Sequence, residues 1–428
     1  MNNGPVTAPR PVLAPRTFSR RPAVRRADTP EQARIRVTFI GLVLFVAGLG
    51  AAWKLNVIGE VYVAELALLA LAIIAIPAGF PKLRGNRAFM LVVASAILTM
   101  IGYVVSDLVR GTSEAQYLRG WARNAMVIVS AIVLSAFVAK DKRNIWWFIA
   151  GLALGSILWF EVVQRLPLRS PEAWKFNYAV NVSLLLACTA AFLPRKVVAV
   201  LFMLLGVYSV TMDFRIHGAL CVVVGTLLWA AGTVDPRKVM VTMIKLGMIL
   251  VVGMVAAVTL VNMTKNDYTD QRRASSNVGR LLGMHVGLAA IANSPIVGYG
   301  SWPTDPELVR ISRQVTLEYE AETGRSTGGG VILNAHSQIL NAWLEGGVLG
   351  AAFYLVVFGL LLWGCYWGLV KRPPDLFTPL IALLFFSQLW NLLMSPLGSH
   401  GRLLFACSVA LVVLIASERL AGKVGRRR

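Results

Sequence analysis

Runs of about twenty apolar residues, the length that crosses the hydrocarbon core of a bilayer, recur along nearly the whole chain and limit its fold more than any other feature. They fall at 35–53, 57–77, 88–109, 121–139, 145–164, 176–193, 196–212, 216–234, 239–261, 346–370, 376–394 and 402–420. In lipid every backbone N–H and C=O must be paired within its own segment, so such runs form helices. The expectation is an all-α polytopic membrane protein with about twelve transmembrane helices. A composition of 57% hydrophobic and 15% charged residues agrees, being too apolar for a soluble chain of this length. The four cysteines, Cys188, Cys221, Cys365 and Cys407, fall inside these runs and read as small packing residues rather than a disulfide framework.

The formal net charge of +21 is distributed by side of the membrane. One set of connections holds the N-terminal tail together with Lys82, Arg84, Arg87, Lys140, Lys142, Arg143, Arg195, Lys196, Arg237, Lys238, Lys371, Arg372, Arg419 and the basic C-terminus; there 25 Lys and Arg face six Asp and Glu. Basic loops stay cytoplasmic, so both termini are expected inside, which requires an even number of spans. Attraction to anionic lipid then accounts for the charge without nucleic acid, and no nucleic-acid motif accompanies it. Residues 1–34 are Pro- and Arg-rich without the apolar core of a signal peptide and read as a disordered cytoplasmic tail. Residues 35–261 would hold helices one to nine, 346–420 helices ten to twelve, and 421–428 a second basic tail.

One connection, 262–345 on the outer face, is far longer than an ordinary inter-helix link and is therefore the expected functional segment. Within it "NVGRLLGMHVGLAAIANSP" has Asn277 as a candidate cap, an apolar body too short to span and an Asn-Ser-Pro stop. "TDPELVRISRQVTLEYEAETG" reads as a second, polar helix capped by Thr304 or Asp305 and ended by Gly324, followed by a flexible "STGGGV". No internal repeat of the transporter kind is visible.

All four histidines, His217, His285, His336 and His400, fall on the outer side of this topology. Asn334 is a candidate N-cap that would set His336 in the first turn of the next helix, where free N–H groups disfavour imidazolium. A neutral imidazole suits a general base, and a hydrogen-bonded structural histidine fits the same position. At helical spacing Asn334, Gln338, Asn341 and Glu345 form a polar stripe, with His336 opposite beside Leu340, Trp343 and Gly347. Three arginines stand out: Arg215 in a short outer turn beside Asp213 and His217, Arg280 at the head of the apolar loop helix, and Arg123 just inside a span, where it pairs with Asp107 or with a ligand. A guanidinium cluster at a membrane face suits a lipid-linked pyrophosphate, and each arginine also fits a snorkelling or helix-end charge.

Other chemistries lack their residues: there is no HExxH, paired CxxC, Walker loop, GxSxG or acidic DxD pair on the outer face. A conduit for lipid-linked glycan, the reading from a different class, would need charges lining a path, and Glu65, Glu161 and Lys245 are the few candidates within spans.

An Arg-led loop helix ending in "ANSPIVGYG", followed by "AHSQILNAWLEGGVLGAAFY" and set between the ninth and tenth of about twelve spans, resembles the O-antigen ligase family, within the superfamily that includes Wzy-like polymerases. The resemblance covers the architecture of most of the chain and, in motif, residues 280–353 with Arg215; Ser337 stands where the family has Asn, and Arg215 is followed by Ile-His rather than Gly. It implies a bacterial inner-membrane enzyme whose large periplasmic loop serves a metal- and cofactor-independent, inverting glycosyltransferase. The donor would be a polysaccharide on undecaprenyl diphosphate and the acceptor a lipid A-core sugar hydroxyl. Carried over by position, His336 is the base on that hydroxyl, and Arg215 and Arg280 bind the diphosphate and stabilise it as leaving group. Arg123 and His217 are secondary candidates. An O-antigen polymerase and a protein O-oligosaccharyltransferase share the same donor and fold.

Overall fold

The computed structural model describes residues 37–56, 59–230, 267–303, 305–324, 331, 333, 335–398 and 401–425. The expected ninth span (239–261) with Lys245, the tail 1–34, the "STGGG" run, Asn334 and His400 lie outside the described residues.

The described chain is helical apart from one short hairpin. Helix α1 is Phe39–Leu49, β1 Lys54–Asn56, β2 Glu60–Tyr62, α2 Val63–Leu83, α3 Arg87–Arg110, α4 Glu114–Lys140, and α5 Arg143–Leu158, extended by a π turn to Val163. Next come α6 (Ala179–Cys188), α7 (Arg195–Thr211), α8 (Arg215–Ala230), α9 (Asp267–Asn293), α10 (Pro306–Thr323), α11 (Gln338–Cys365), α12 (Thr378–Met394) and α13 (Gly401–Gly425). Among the described residues six helices are long and apolar enough to cross a membrane: α2, α3, α4, α5 with its extension, α11 with its own, and α13. Shorter apolar helices, including α1, α8 and α12, accompany them.

The bundle is built as lipid requires. Large apolar side chains such as Ile73, Ile74, Leu91, Leu204 and Val207 face outward, while Ser95, Thr99, Asn124, Ser130 and Asn144 are buried between helices. Without a hydrophobic drive between helices in lipid, close association rests on small residues and interhelical hydrogen bonds. Helices α3 and α11 show both. A Cβ on Gly102 would come within 2.5 Å of the Gly350 nitrogen, and Thr99 donates to the Gly350 carbonyl (3.1 Å) while accepting from the Phe353 N–H (2.9 Å).

Three boundaries differ from the sequence reading. The span expected at 57–77 begins at Val63, because Lys54–Tyr62 folds into the hairpin, with Lys54 opposite Tyr62 and Gly59 at φ 79° in the turn. The Glu65 carboxylate then starts α2 by accepting from the Tyr62 N–H (3.0 Å). Asn277 is no cap: α9 already begins at Asp267, ten residues upstream, so a residue that could end a helix is carried through its interior. The helix expected to begin near Asn334 begins at Gln338, with Ser337 as its cap, accepting from the Leu340 N–H (3.3 Å). The polar loop helix follows expectation: Asp305 caps α10 by accepting from the Glu307 N–H (2.8 Å), and Gly324 closes it at φ 66°.

Candidate functional site

Helix α11 is broken, and the break organises the residues around it. At Gly347 the backbone turns to φ 66°, ψ −166°, a conformation only glycine adopts without strain, so the carbonyls and N–H groups around it lose their helical partners. The turn after α9 supplies new ones. Tyr299 N–H donates to the Leu344 carbonyl (2.7 Å), Gly300 N–H to the Glu345 carbonyl (3.0 Å), and the Val348 N–H to the Pro295 carbonyl (3.1 Å). Trp343 also donates to Pro295 through its indole N–H (2.8 Å). A Cβ on Gly298 would strike the Glu345 carbonyl, and one on Gly347 the Ile296 carbonyl. Thus the "NSPIVGYGS" and "WLEGG" stretches are two halves of one backbone joint.

The end of α3 clamps the same turn. Ser106 accepts from the Gly298 N–H (3.0 Å), and Asp107 accepts from the Ser301 N–H (2.6 Å), the Ser301 hydroxyl (2.8 Å) and the Trp121 indole (2.7 Å). Arg110 donates to the Gly298 carbonyl (3.0 Å) and Ser294 (2.9 Å), pairs with Asp305 and Glu307, and lies 4.5 Å from the centre of the Tyr299 ring. Beside this clamp a cavity of about 250 Å³ opens, lined by Arg110, Thr112, Gln116, Tyr299 and Asp305 among others.

Arg123 pairs with Glu345, not with Asp107, whose oxygens are taken by Ser301 and Trp121. Tyr103 donates to the same Glu345 oxygen (2.6 Å), and the Trp302 ring covers the Arg123 guanidinium at 5.1 Å. A second buried pair, Arg402 with Glu65 (3.0 Å), ties α13 to α2, and Arg402 also donates to the Glu60 carbonyl of the hairpin (2.8 Å).

His336 sits two residues before α11, in the left-handed region at φ 47°, which histidine occupies more readily than most residues. Its neighbours are fixed. Ser337 donates to the Leu392 carbonyl at the end of α12 (2.9 Å), the Gln338 side chain accepts from the Leu397 N–H (3.0 Å), and Asn341 folds back to accept from the Ala335 N–H (2.8 Å). The imidazole is half-buried, and burial first, then the positive charge of Arg280 on α9, holds its pKa below the ordinary histidine value. The side chain is therefore neutral at neutral pH for a reason other than first-turn geometry.

The expected residues are not all equivalent in placement. Arg280 and His336 are within electrostatic reach of each other. Arg215 opens α8, with Asp213 3.8 Å from its Nε and a buried Nη2 that no group among the described residues satisfies. His217 is buried between helices, with Ser183 Oγ 2.8 Å from its Nε2 and Phe214 stacked on its ring at 5.0 Å, an arrangement that serves packing. His285 is exposed on α9. Of the charges that a conduit would use, Glu65 is consumed by Arg402, and Glu161 accepts from the Tyr178 hydroxyl (2.9 Å). Arg110, Arg402 and the Arg123–Glu345 pair escaped the sequence reading as partners, since the mates lie from 184 to 342 residues apart. Glu345 was visible in the sequence as part of the polar stripe, and Arg123 as an arginine inside a span. Among the described residues no group of three or more His, Cys, Asp or Glu is placed to hold a metal ion.

No curated protein matches the chain. Residues 197–355 match the family described as O-antigen ligase. That stretch runs from α7 through the outer segment into α11, and contains Arg215, Arg280, His336 and both halves of the backbone joint. The stretch similar to that family thus covers the outer segment and the first part of α11, while the clamping residues of α3 and α4 lie before it.

Proposed function

We propose that the protein is an O-antigen ligase, moving polysaccharide from undecaprenyl diphosphate to a lipid A-core sugar hydroxyl at the periplasmic face of the bacterial inner membrane. The observation that carries this reading is a half-buried His336 lying within electrostatic reach of Arg280, both inside the stretch that matches the family. His336 takes the acceptor proton as the hydroxyl attacks the anomeric carbon, and a neutral imidazole is the competent form. Charge grows on the diphosphate as the glycosidic bond breaks, and guanidinium groups neutralise it in a partly water-excluded site. Arg280 is one such group.

Arg215 is the second. Helix α12 packs against both α8 and α11, and its outer end holds Ser337. With α8 starting and α12 ending on the outer side, Arg215 belongs at the same end of the bundle as His336. Its unsatisfied Nη2 is a donor in want of an acceptor, as a diphosphate oxygen would be. The single displacement inverts the anomeric carbon.

Loss of the gene separates this reading from its relatives. A ligase leaves complete core with no polymer attached, whereas a polymerase leaves core bearing a single repeat. Normal lipopolysaccharide with unglycosylated exported proteins would assign the chain to protein O-glycosylation instead.

A further inference from the structure

Glu345 belongs to the polar stripe that the sequence shows, yet the transfer chemistry above gives it no task. Its surroundings do. Through its side chain it accepts from Tyr103 on α3 and pairs with Arg123 on α4; through its carbonyl it accepts from Gly300 of the outer turn. It stands immediately before the break in α11, and the Trp302 ring of the same turn lies over its partner Arg123. One residue therefore meets both membrane helices, the docked turn and the broken helix. From Glu345 back to His336 runs a single short arm, residues 338–346, about 13 Å of helix at 1.5 Å per residue. The far end of that arm is pinned to α12 by Ser337.

We propose that the Arg123–Glu345 pair is a positioning element: it locks the break in α11 and the docked 294–302 turn into one arrangement and so fixes where the arm presents His336. Neither residue touches the reacting atoms. The proposal rests on the transferase reading for its kinetic consequence, and on geometry alone for its structural one. A misplacement of about 1 Å in a bound reaction geometry costs on the order of 10²-fold in rate, so a loosened arm lowers kcat without weakening the donor's hold.

The test uses the full-length protein in detergent with Glu345→Gln, Arg123→Gln, the double variant, and Tyr103→Phe. For folded protein, each single charge variant is expected to lose about tenfold or more in kcat, with the KM for lipid-linked donor unchanged within about twofold. The double variant loses no more than the worse single, because the two side chains act as a unit. Tyr103→Phe removes only a hydroxyl and keeps the packing, so it is expected to fold even if a charge variant does not, and to lower kcat in the same direction. Multiplicative losses in the double variant, a raised donor KM at full kcat, or full kcat in Tyr103→Phe would each overturn the proposal.

Hydrogen exchange without substrate separates this idea from the transferase reading. Glu345→Gln, or Tyr103→Phe should the former not fold, is expected to speed exchange in both 294–302 and 335–346. Exchange unchanged in either segment sinks the positioning role whatever the reaction proves to be, while faster exchange in a protein that transfers nothing would leave the joint standing and the ligase reading fallen.

Discussion

His336 is held neutral by two causes of different kinds, partial burial and the charge of Arg280. Both disfavour imidazolium, so the folded-state pKa is depressed, and protonation on the acid side sets in below the usual histidine value of about 6.5. If His336 is the base, the acid limb of the kcat/KM profile, which reports the free enzyme, lies below that value. Arg280→Gln removes one of the two causes and should move the limb upward toward 6.5 while weakening donor binding; a limb that stays in place would dissociate the two residues. At this scale the sequence disclosed identities but not surroundings. His336, Arg280 and Arg215 were legible as residue types in a family pattern, whereas the reason for the histidine's neutrality was not. That reason depends on α9 lying beside the 335–337 segment, where Gly287 packs against Ala335 and the charge of Arg280, 56 positions from His336, is felt.

Among the elements, the joint between the 294–302 turn and the break in α11 is the one that ties the outer segment's turn to α3 and α11. Gly347→Ala would add a Cβ where the backbone needs φ 66° and where the Ile296 carbonyl already stands. That backbone conformation alone costs on the order of 1–3 kcal/mol for a side-chain-bearing residue, and displacement of the turn adds to it. Thermal unfolding in detergent should show a clear drop in stability for Gly347→Ala, with a much smaller change for Gly359→Ala, where a Cβ meets nothing. Equal effects would mean that the break is not structurally demanding. Apolar length located most helix bodies correctly, because the bilayer imposes one rule on every span. It misplaced the start of α2, where β-hairpin pairing prevails over local hydrophobicity, and that of α11, which begins at Gln338 ahead of the apolar run at 346 because Ser337, not Asn334, caps it. Asn277 shows the converse: capping potential counts for nothing where the preceding residues are already helical.

For the molecule as a whole, the account requires that the joint and the arm face away from the cytoplasm. Charge asymmetry is the argument for this, since basic connections stay inside, and it was fully legible because it needs no contact information. Single cysteines test it. Ser113→Cys, exposed in the turn between α3 and α4, should react with a membrane-impermeant maleimide in spheroplasts, and Lys142→Cys, exposed at the opposite end of α4, only after lysis. The reverse pattern would put Arg110, Asp107 and the docked turn on the wrong side for a lipid-linked polysaccharide. What the sequence could not disclose at this scale is the polar wiring of the interior. Two ion pairs, the part-buried Arg123 with Glu345 and the buried Arg402 with Glu65, each join helices far apart in the chain. Removing one partner of a buried pair such as Arg402 with Glu65 typically costs about 3–5 kcal/mol, because the other charge is left buried alone.

The central claim is met most directly by purified protein incubated in detergent with undecaprenyl diphosphate-linked polysaccharide and lipid A-core, with EDTA present. The account predicts polymer joined to core by the wild-type chain, and a loss of about 10²–10⁴-fold in folded His336→Ala. Transfer undiminished in His336→Ala, or no transfer by an intact wild-type protein supplied with both substrates, would contradict it.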